Sequence, residues 1–275
     1  MANFQDREYL QESQYRTSRH LTARADLHRR FNVSTDDWHD WAFAQIELRN
    51  GETILECGAG PGWLWKEPQV ELPAEFQLVA TDLSAGMMAE ARQRLADLGT
   101  HAAFANADIQ NLPCPTDTFD AIVANHMLYH VPDLDKALAE VTRALKPDGR
   151  FIAATNGRGH MREVFEIGGT LMPGVYLGLR GAMQALPFAL ENGAELLGRH
   201  FDDIEVRLYD SHLEVDDAEA LINYMLSSAE GEAAVPPNLR QAAITQLQQE
   251  IDANGPIYIS KETGVFVARS PHTGD

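Results

Sequence analysis

The chain has 275 residues, in which 41 Asp and Glu stand against 22 Lys and Arg for a formal net charge of −19; so acidic a surface repels a phosphate backbone, which argues against nucleic acid as a partner. Its two cysteines, Cys57 and Cys114, follow neither a disulfide framework nor a metal-ligand spacing. The polar N-terminus and the lack of any run approaching roughly 18 apolar residues argue against a membrane span, so a soluble cytoplasmic protein is expected.

Residues 8–30 are polar and helix-friendly, and carry Arg16, Arg19, Arg24, Arg29 and Arg30 against a single acid, Asp26, after position 16. A charge run of this kind reads either as a solvated helix face or as a lid, in which an arginine or Tyr15 meets a ligand carboxylate. Ser34 with Asp37 three places later reads as a capping box opening a helix through Trp38, Trp41, Ala42 and Leu48.

After Gly51 the pattern changes period. Residues 53–56 form a short buried strand that runs into glycines at positions 58, 60 and 62, with a helix starting over 62–66 and a proline-punctuated loop over 68–73. A second strand over 77–81 ends at Asp82, and Ser84 caps a helix through Met87, Met88, Ala91 and Leu95 that Leu98-Gly99 closes. Strands over 101–105 and 119–124 follow, then an amphipathic helix over 134–145, a turn at Lys146-Pro147-Asp148-Gly149 and a fifth strand over 150–155. Strands and helices alternating in steps of roughly 25 to 30 residues predict an α/β fold with a doubly wound parallel sheet.

Between 156 and 190 the regularity lapses into glycines interleaved with methionine, phenylalanine and leucine. That much apolar area is unsuited to a surface linker and fits a cap over a small-molecule pocket. Helices are expected over 191–197, 216–227 and 238–253, a sixth strand over 204–209, and β-rich pieces over 257–269 around a turn signal at Lys261-Glu262-Thr263-Gly264.

Four stretches, in order, resemble the class I S-adenosylmethionine (SAM)-dependent methyltransferases, in the small-molecule group that includes the ubiquinone and menaquinone biosynthesis enzymes. They are Glu56-Cys-Gly-Ala-Gly-Pro-Gly62, Thr81-Asp82-Leu-Ser-Ala-Gly-Met87, Asn106-Ala-Asp108-Ile109, and Phe119-Asp-Ala-Ile-Val-Ala-Asn125-His-Met-Leu-Tyr-His130. The resemblance spans about 51–155 and implies a Rossmann-like seven-stranded, mostly parallel sheet with helices on both faces. Around it the chain divides into an N-terminal helical lid, 1–50, and a SAM-binding domain, 51–275, with a cap at about 156–190. A dinucleotide fold is the rival for such a glycine loop, but its third glycine falls where this chain has Trp63.

The resemblance implies transfer of methyl from SAM to O, C or N of a small-molecule acceptor, with S-adenosylhomocysteine as product. A SAM-binding protein without turnover is the alternative. Gly58, Ala59 and Gly60 let the backbone approach the ligand, and Glu56 orients the turn or the ligand's amino group. Asp82 accepts the ribose hydroxyls, Leu83 and Met87 pack on adenine, and Asp108 with the Ile109 amide meets its edge. Asn125 borders the methionine end. For the structural alternative, Asp82 and Asp108 would be turn or cap carboxylates.

Methyl displacement depends on alignment, and a neutral acceptor also needs a base, for which histidine suits neutral pH. His126 is the better candidate base, also bordering the cofactor, with Tyr129 and His130 as orienting or packing residues. Asn156, Arg158, His160 and Arg162 follow the fifth strand and line either an acceptor pocket or a solvated turn. No carboxylate and Asn cluster with magnesium geometry stands out, and no metal is expected. Neither the acceptor nor the oligomeric state is legible.

Overall fold

The structure, a computed structural model, describes residues 18–66, 72–173, 185–227 and 235–272. Tyr15 and Arg16, the start of the basic segment and the centre of the expected cap therefore lie outside the described residues.

Helix α1 (Arg19–Phe31) leads into a two-residue strand β1 (Asn32–Val33) and helix α2 (Trp38–Ala44). The expected capping box is displaced: Asp37 caps α2 by accepting from the His39 amide at 2.7 Å, whereas Ser34 Oγ donates to the Asp210 carbonyl at 3.3 Å. Strand β2 (Glu52–Cys57) is followed by α3 (Trp63–Lys66), β3 (Phe76–Asp82), α4 (Ala85–Arg94), β4 (Ala102–Asn106) and β5 (Phe119–Asn125). Ser84 caps α4 as expected, accepting from the Met87 amide at 3.2 Å. Helix α5 (Leu134–Ala144), strand β6 (Leu145–Asn156), helix α6 (Arg162–Leu171), helix α7 (Gly193–Leu197) and strand β7 (Phe201–Leu208) come next. Strand β8 (His212–Val215), helices α8 (Ala218–Met225) and α9 (Pro237–Asn254), and strands β9 (Ile257–Ser260) and β10 (Thr263–Pro271) complete the described chain.

Seven strands form one sheet in the order β4-β3-β2-β5-β6-β10-β7, parallel except for β10, which runs antiparallel to both β6 and β7. Strands β2 and β5 are apolar and buried almost throughout, as central parallel strands covered on both faces must be. One face packs on Leu138, Val141 and Phe151, the other on Ile46, Leu78 and Met88. The connections leave β2 toward β3 and β5 toward β6, in opposite directions, so the crevice at the carboxyl ends of β2 and β5 is the switch point where such sheets take ligands.

A second antiparallel sheet, β1-β8-β9, was not expected. The two β-rich pieces around 261–264 do not pair with each other: β9 joins this small sheet and β10 the large one, so Lys261 and Glu262 form a crossing between sheets. A third apolar core unites Leu27 of α1, Val164 of α6, Leu213 of β8, Leu221 of α8 and Leu247 of α9. The N-terminal helix and the first part of the 156–190 segment are thus joined with β8, α8, α9 and β9 into a single covering lobe. Polar contacts seat α1 there: Arg30 pairs with Asp217 at 2.7 Å, and Arg24 donates to Ser227 Oγ at 3.1 Å. At the far end of the expected cap, Phe188 turns back into the main core, 5.6 Å from the ring of Phe266.

Candidate active site

Strand β2 ends where Gly58 takes φ +69° and Gly60 φ +54°, values that side-chain-bearing residues rarely adopt. A Cβ on Gly58 would come within 2.8 Å of Met127 Cβ, which follows β5, so the two central strands' loops touch at the switch point. A Cβ on Gly60 would meet nothing within 4 Å, so this backbone faces open space. The loop is pinned from β3: the Ala59 amide donates to the Thr81 carbonyl at 2.9 Å, and the Gly60 amide to Asp82 Oδ2 at 2.9 Å. The other oxygen of Asp82 accepts from the Ser84 amide at 2.8 Å. Burial raises the Asp82 pKa, with these backbone donors opposing the shift. Asp82 therefore acts as the clasp of the glycine loop, with lone pairs left over for further donors.

Glu56 is 1 % exposed and accepts from the Trp65 indole N–H at 2.7 Å. This contact ties the end of β2 to α3, the helix that follows the glycine loop, and burial pushes the Glu56 carboxyl pKa up to about 8. Leu83 is half-buried and Met87 fully buried beside the loop. Asp108 accepts from the Gln110 amide at 3.0 Å, the turn role anticipated as its structural alternative, and Ile109 is buried in the core.

Asn125 closes β5, and its Oδ1 is a buried acceptor without a hydrogen-bond partner. An unmade hydrogen bond of this kind costs about 1–3 kcal/mol, which a ligand donor would recover. His126 follows at φ +54°, its amide donating to the Ala154 carbonyl at 3.1 Å. Its ring lies 5.1 Å from Trp38, which in turn sits 5.3 Å from Tyr209. Burial drives the His126 pKa down to about 4, so the imidazole is neutral at pH 7 and a weak base.

The remaining expected site residues separate. Tyr129 packs on the main core with its ring 4.6 Å from that of His130, the packing role rather than a place beside His126. Asn156 ends β6, half-buried, and its carbonyl accepts from the Leu190 amide at 3.2 Å. His160 is buried, its Nδ1 accepting from the Glu262 amide at 3.1 Å, and its pKa falls to about 3. Of the two readings of this segment, Arg158 and Arg162 take the solvated one. Both are exposed, Arg162 paired with Glu163 at 3.1 Å, because the left-handed turn at Met161 buries the methionine and leaves its arginine neighbour outside. Among the described residues no group of three or more His, Cys, Asp or Glu is arranged to hold a metal ion.

Sequence reasoning passed over the covering side of this site. His28 of α1 sits 6.5 Å from His160 and 5.7 Å from Tyr224 of α8, ring to ring, and Lys261 lies over Tyr209. These positions are scattered across the chain and no local spacing links them.

His28, His126 and His160 are all held neutral by burial, aided by the nearby charge of Lys261. Unfolded, each binds a proton near pH 6.5, so between pH 6.5 and about 4 the unfolded chain takes up more protons than the folded one. Stability present above pH 6.5 is therefore expected to fall on acidification, by up to about 1.4 kcal/mol per pH unit for each histidine. Glu56 and Asp82 act oppositely, their raised pKa values weakening the fold as pH rises above the ordinary carboxylate range, but they are two groups against three. Urea midpoints measured across this window check the sign; a flat or rising midpoint on acidification would show the imidazoles charging within the folded state.

Residues 55–153 match the family model described as a methyltransferase domain. Over 114 residues the chain is 36% identical to the ubiquinone/menaquinone biosynthesis C-methyltransferase UbiE of Coxiella burnetii, covering 41% of this chain and 46% of that protein. It thus spans about half the length of the curated relatives it matches. Among solved structures, phosphoethanolamine N-methyltransferase 2 of Haemonchus contortus, in complex with SAM, aligns with a TM-score of 0.59 at 19% identity over 99% of this chain and 61% of that one. The [4+2]-cyclase SpnF aligns with a TM-score of 0.54 at 17% identity over 88% of each chain. These likenesses establish the Rossmann-like class I methyltransferase fold, and bear out the resemblance to the ubiquinone-group methyltransferases in the central part of the chain. That a cyclase shares the architecture means that fold alone does not set the reaction.

Proposed function

We propose that this chain is a SAM-dependent methyltransferase that moves a methyl group to O, C or N of a small-molecule acceptor by direct displacement, releasing S-adenosylhomocysteine. The observation that carries this reading is the switch-point crevice, where a glycine loop with open space at Gly60 is clasped by Asp82 and faced across the sheet by the unpartnered acceptor of Asn125. The methyltransferase-domain match over 55–153 and the UbiE relatives support it. In this reading Gly58, Ala59 and Gly60 give the cofactor a backbone surface, Asp82 accepts from its ribose and Asn125 from its ammonium. When bound, the sulfonium supplies an electrophilic methyl group. We assign the adenine to Leu83, Met87, Asp108 and the backbone amide of Ile109, the residues past the ends of β3 and β4. His126, neutral at pH 7, accepts a hydrogen bond from the acceptor and turns its lone pair toward the methyl.

We read α1 and the 212–260 segment as the lid that excludes water from this crevice. Among the described residues no helix is long and apolar enough to cross a membrane. The free cysteines Cys57 and Cys114 fit a reducing compartment, and we assign the enzyme to the cytoplasm.

Mass spectrometry of ligand released from the purified protein is expected to find SAM or S-adenosylhomocysteine; a nicotinamide dinucleotide instead would overturn the reading. Transfer of labelled methyl from SAM into a metabolite extract then separates an enzyme from a silent binder. Tight SAM binding with no transfer to any fraction would favour the binder.

A further inference from the structure

Lys261 occupies the crossing between β9 and β10, at the seam between the main sheet and the covering lobe. Its Nζ donates to Asn32 Oδ1 at 2.8 Å and lies 5.0 Å from the centre of the Tyr209 ring. Among the described residues no carboxylate pairs with it at ion-pair distance, and Asp37 acts on it only from farther away. Desolvation lowers its pKa to about 8, so at pH 7 it is still mostly an ammonium. The three imidazoles around it are neutral and add no further positive charge. A half-buried cation, largely withdrawn from water and without an anion, is costly, and a site that keeps one has a use for a negative partner.

A second observation shows where that partner would sit. His28 Nδ1 is buried and has no hydrogen-bond partner. The charge of Lys261 acts on both His28 and His126, so the three groups lie close together. Flat rings surround them: Tyr224 beside His28, and Trp38 beside Tyr209. The group adjoins the crevice through Trp38, whose ring contacts both His126, next to Asn125, and Tyr209, over which Lys261 lies.

We propose that Lys261, with Asn32 and His28, binds an acidic oxygen of the acceptor, and that the acceptor is a planar organic acid, a phenol or an aromatic carboxylic acid. The proposal rests on the methyltransferase reading for calling the ligand an acceptor, but the anion site itself does not depend on it. The choice of an acid also answers a difficulty at His126, which is too weak a base to draw a proton from an ordinary alcohol. An ammonium beside a phenolic oxygen favours its ionised form, so a weak base suffices.

Calorimetric titration of the full-length protein with 2-naphthoate, 2-naphthol and the neutral 2-naphthamide, with and without S-adenosylhomocysteine, tests this. Wild type is expected to bind naphthoate or naphthol at least about tenfold more tightly than naphthamide, the size of a charged hydrogen bond. Lys261→Met should abolish that preference while leaving naphthamide affinity unchanged, and Lys261→Arg should restore part of it. Preference for naphthol assigns a phenolic oxygen and preference for naphthoate a carboxylate; both support the site. Equal affinity for the three probes, no binding of any of them, or a preference that survives Lys261→Met overturns it. Failure of the cofactor reading shows separately, as absent S-adenosylhomocysteine binding alongside an intact lysine-dependent preference.

Discussion

Replacing Asp82 with alanine is expected to weaken SAM binding by about 10- to 150-fold, the equivalent of about 1.5–3 kcal/mol for hydrogen bonds to a charged group. The loss has two sources. The ribose hydroxyls lose their acceptor, and the amides of Gly60 and Ser84 lose the oxygens that hold the glycine loop in its left-handed course. Asp82→Asn separates them, because the carboxamide keeps one acceptor oxygen and so can hold only one of the two amides in the same way. Calorimetric titration with SAM measures both variants. Affinity for Asp82→Ala within about twofold of wild type, far below the effect of a charged hydrogen bond, would remove Asp82 from the cofactor site.

The largest expected effect on stability lies at the opposite end of the sheet. Arg150 is 4 % exposed and binds Glu52 through both carboxylate oxygens, at 2.8 and 2.7 Å. Its Nε donates to the Ile46 carbonyl at 2.7 Å and Nη2 to the Glu47 carbonyl at 3.0 Å, so the guanidinium ties the end of α2 to the start of β2. Glu52→Gln leaves this guanidinium buried without its countercharge, at an expected cost of about 3–5 kcal/mol. The double variant Glu52→Leu with Arg150→Met should recover most of that loss, since an apolar pair of similar volume carries no desolvation penalty. Urea denaturation reads both. A single variant within about 1 kcal/mol of wild type would show that water reaches the pair and shares the charge.

Much of the central fold is legible in local patterns because its causes are local. The run 53–57 ends in glycines, and the structure places β2 and its turn there. Ser84 caps α4, and the apolar spacing of 134–145 returns α5 over Leu134–Ala144. Where several capping acceptors compete, the local rule falls short: Asp37 rather than Ser34 caps α2, while Ser34 donates to the backbone of Asp210, 176 residues away. Which of their two readings Arg158 and Arg162 take is likewise set from afar, since they flank a turn where Met161 is buried in a left-handed conformation.

What the amino-acid sequence determined by itself is the α/β alternation, the glycine loop and the acids and amide that end strands two to four, because each depends on backbone demands met within a few residues. What only the tertiary structure decided is the other side of the site. His28, Trp38, Tyr209, Tyr224 and Lys261 come from α1, α2, the end of β7, α8 and the β9–β10 crossing, and they meet at the seam between the covering lobe and the main sheet. Their convergence follows from packing the lobe's apolar core against the main sheet, a constraint that acts through space and leaves no spacing along the chain to read.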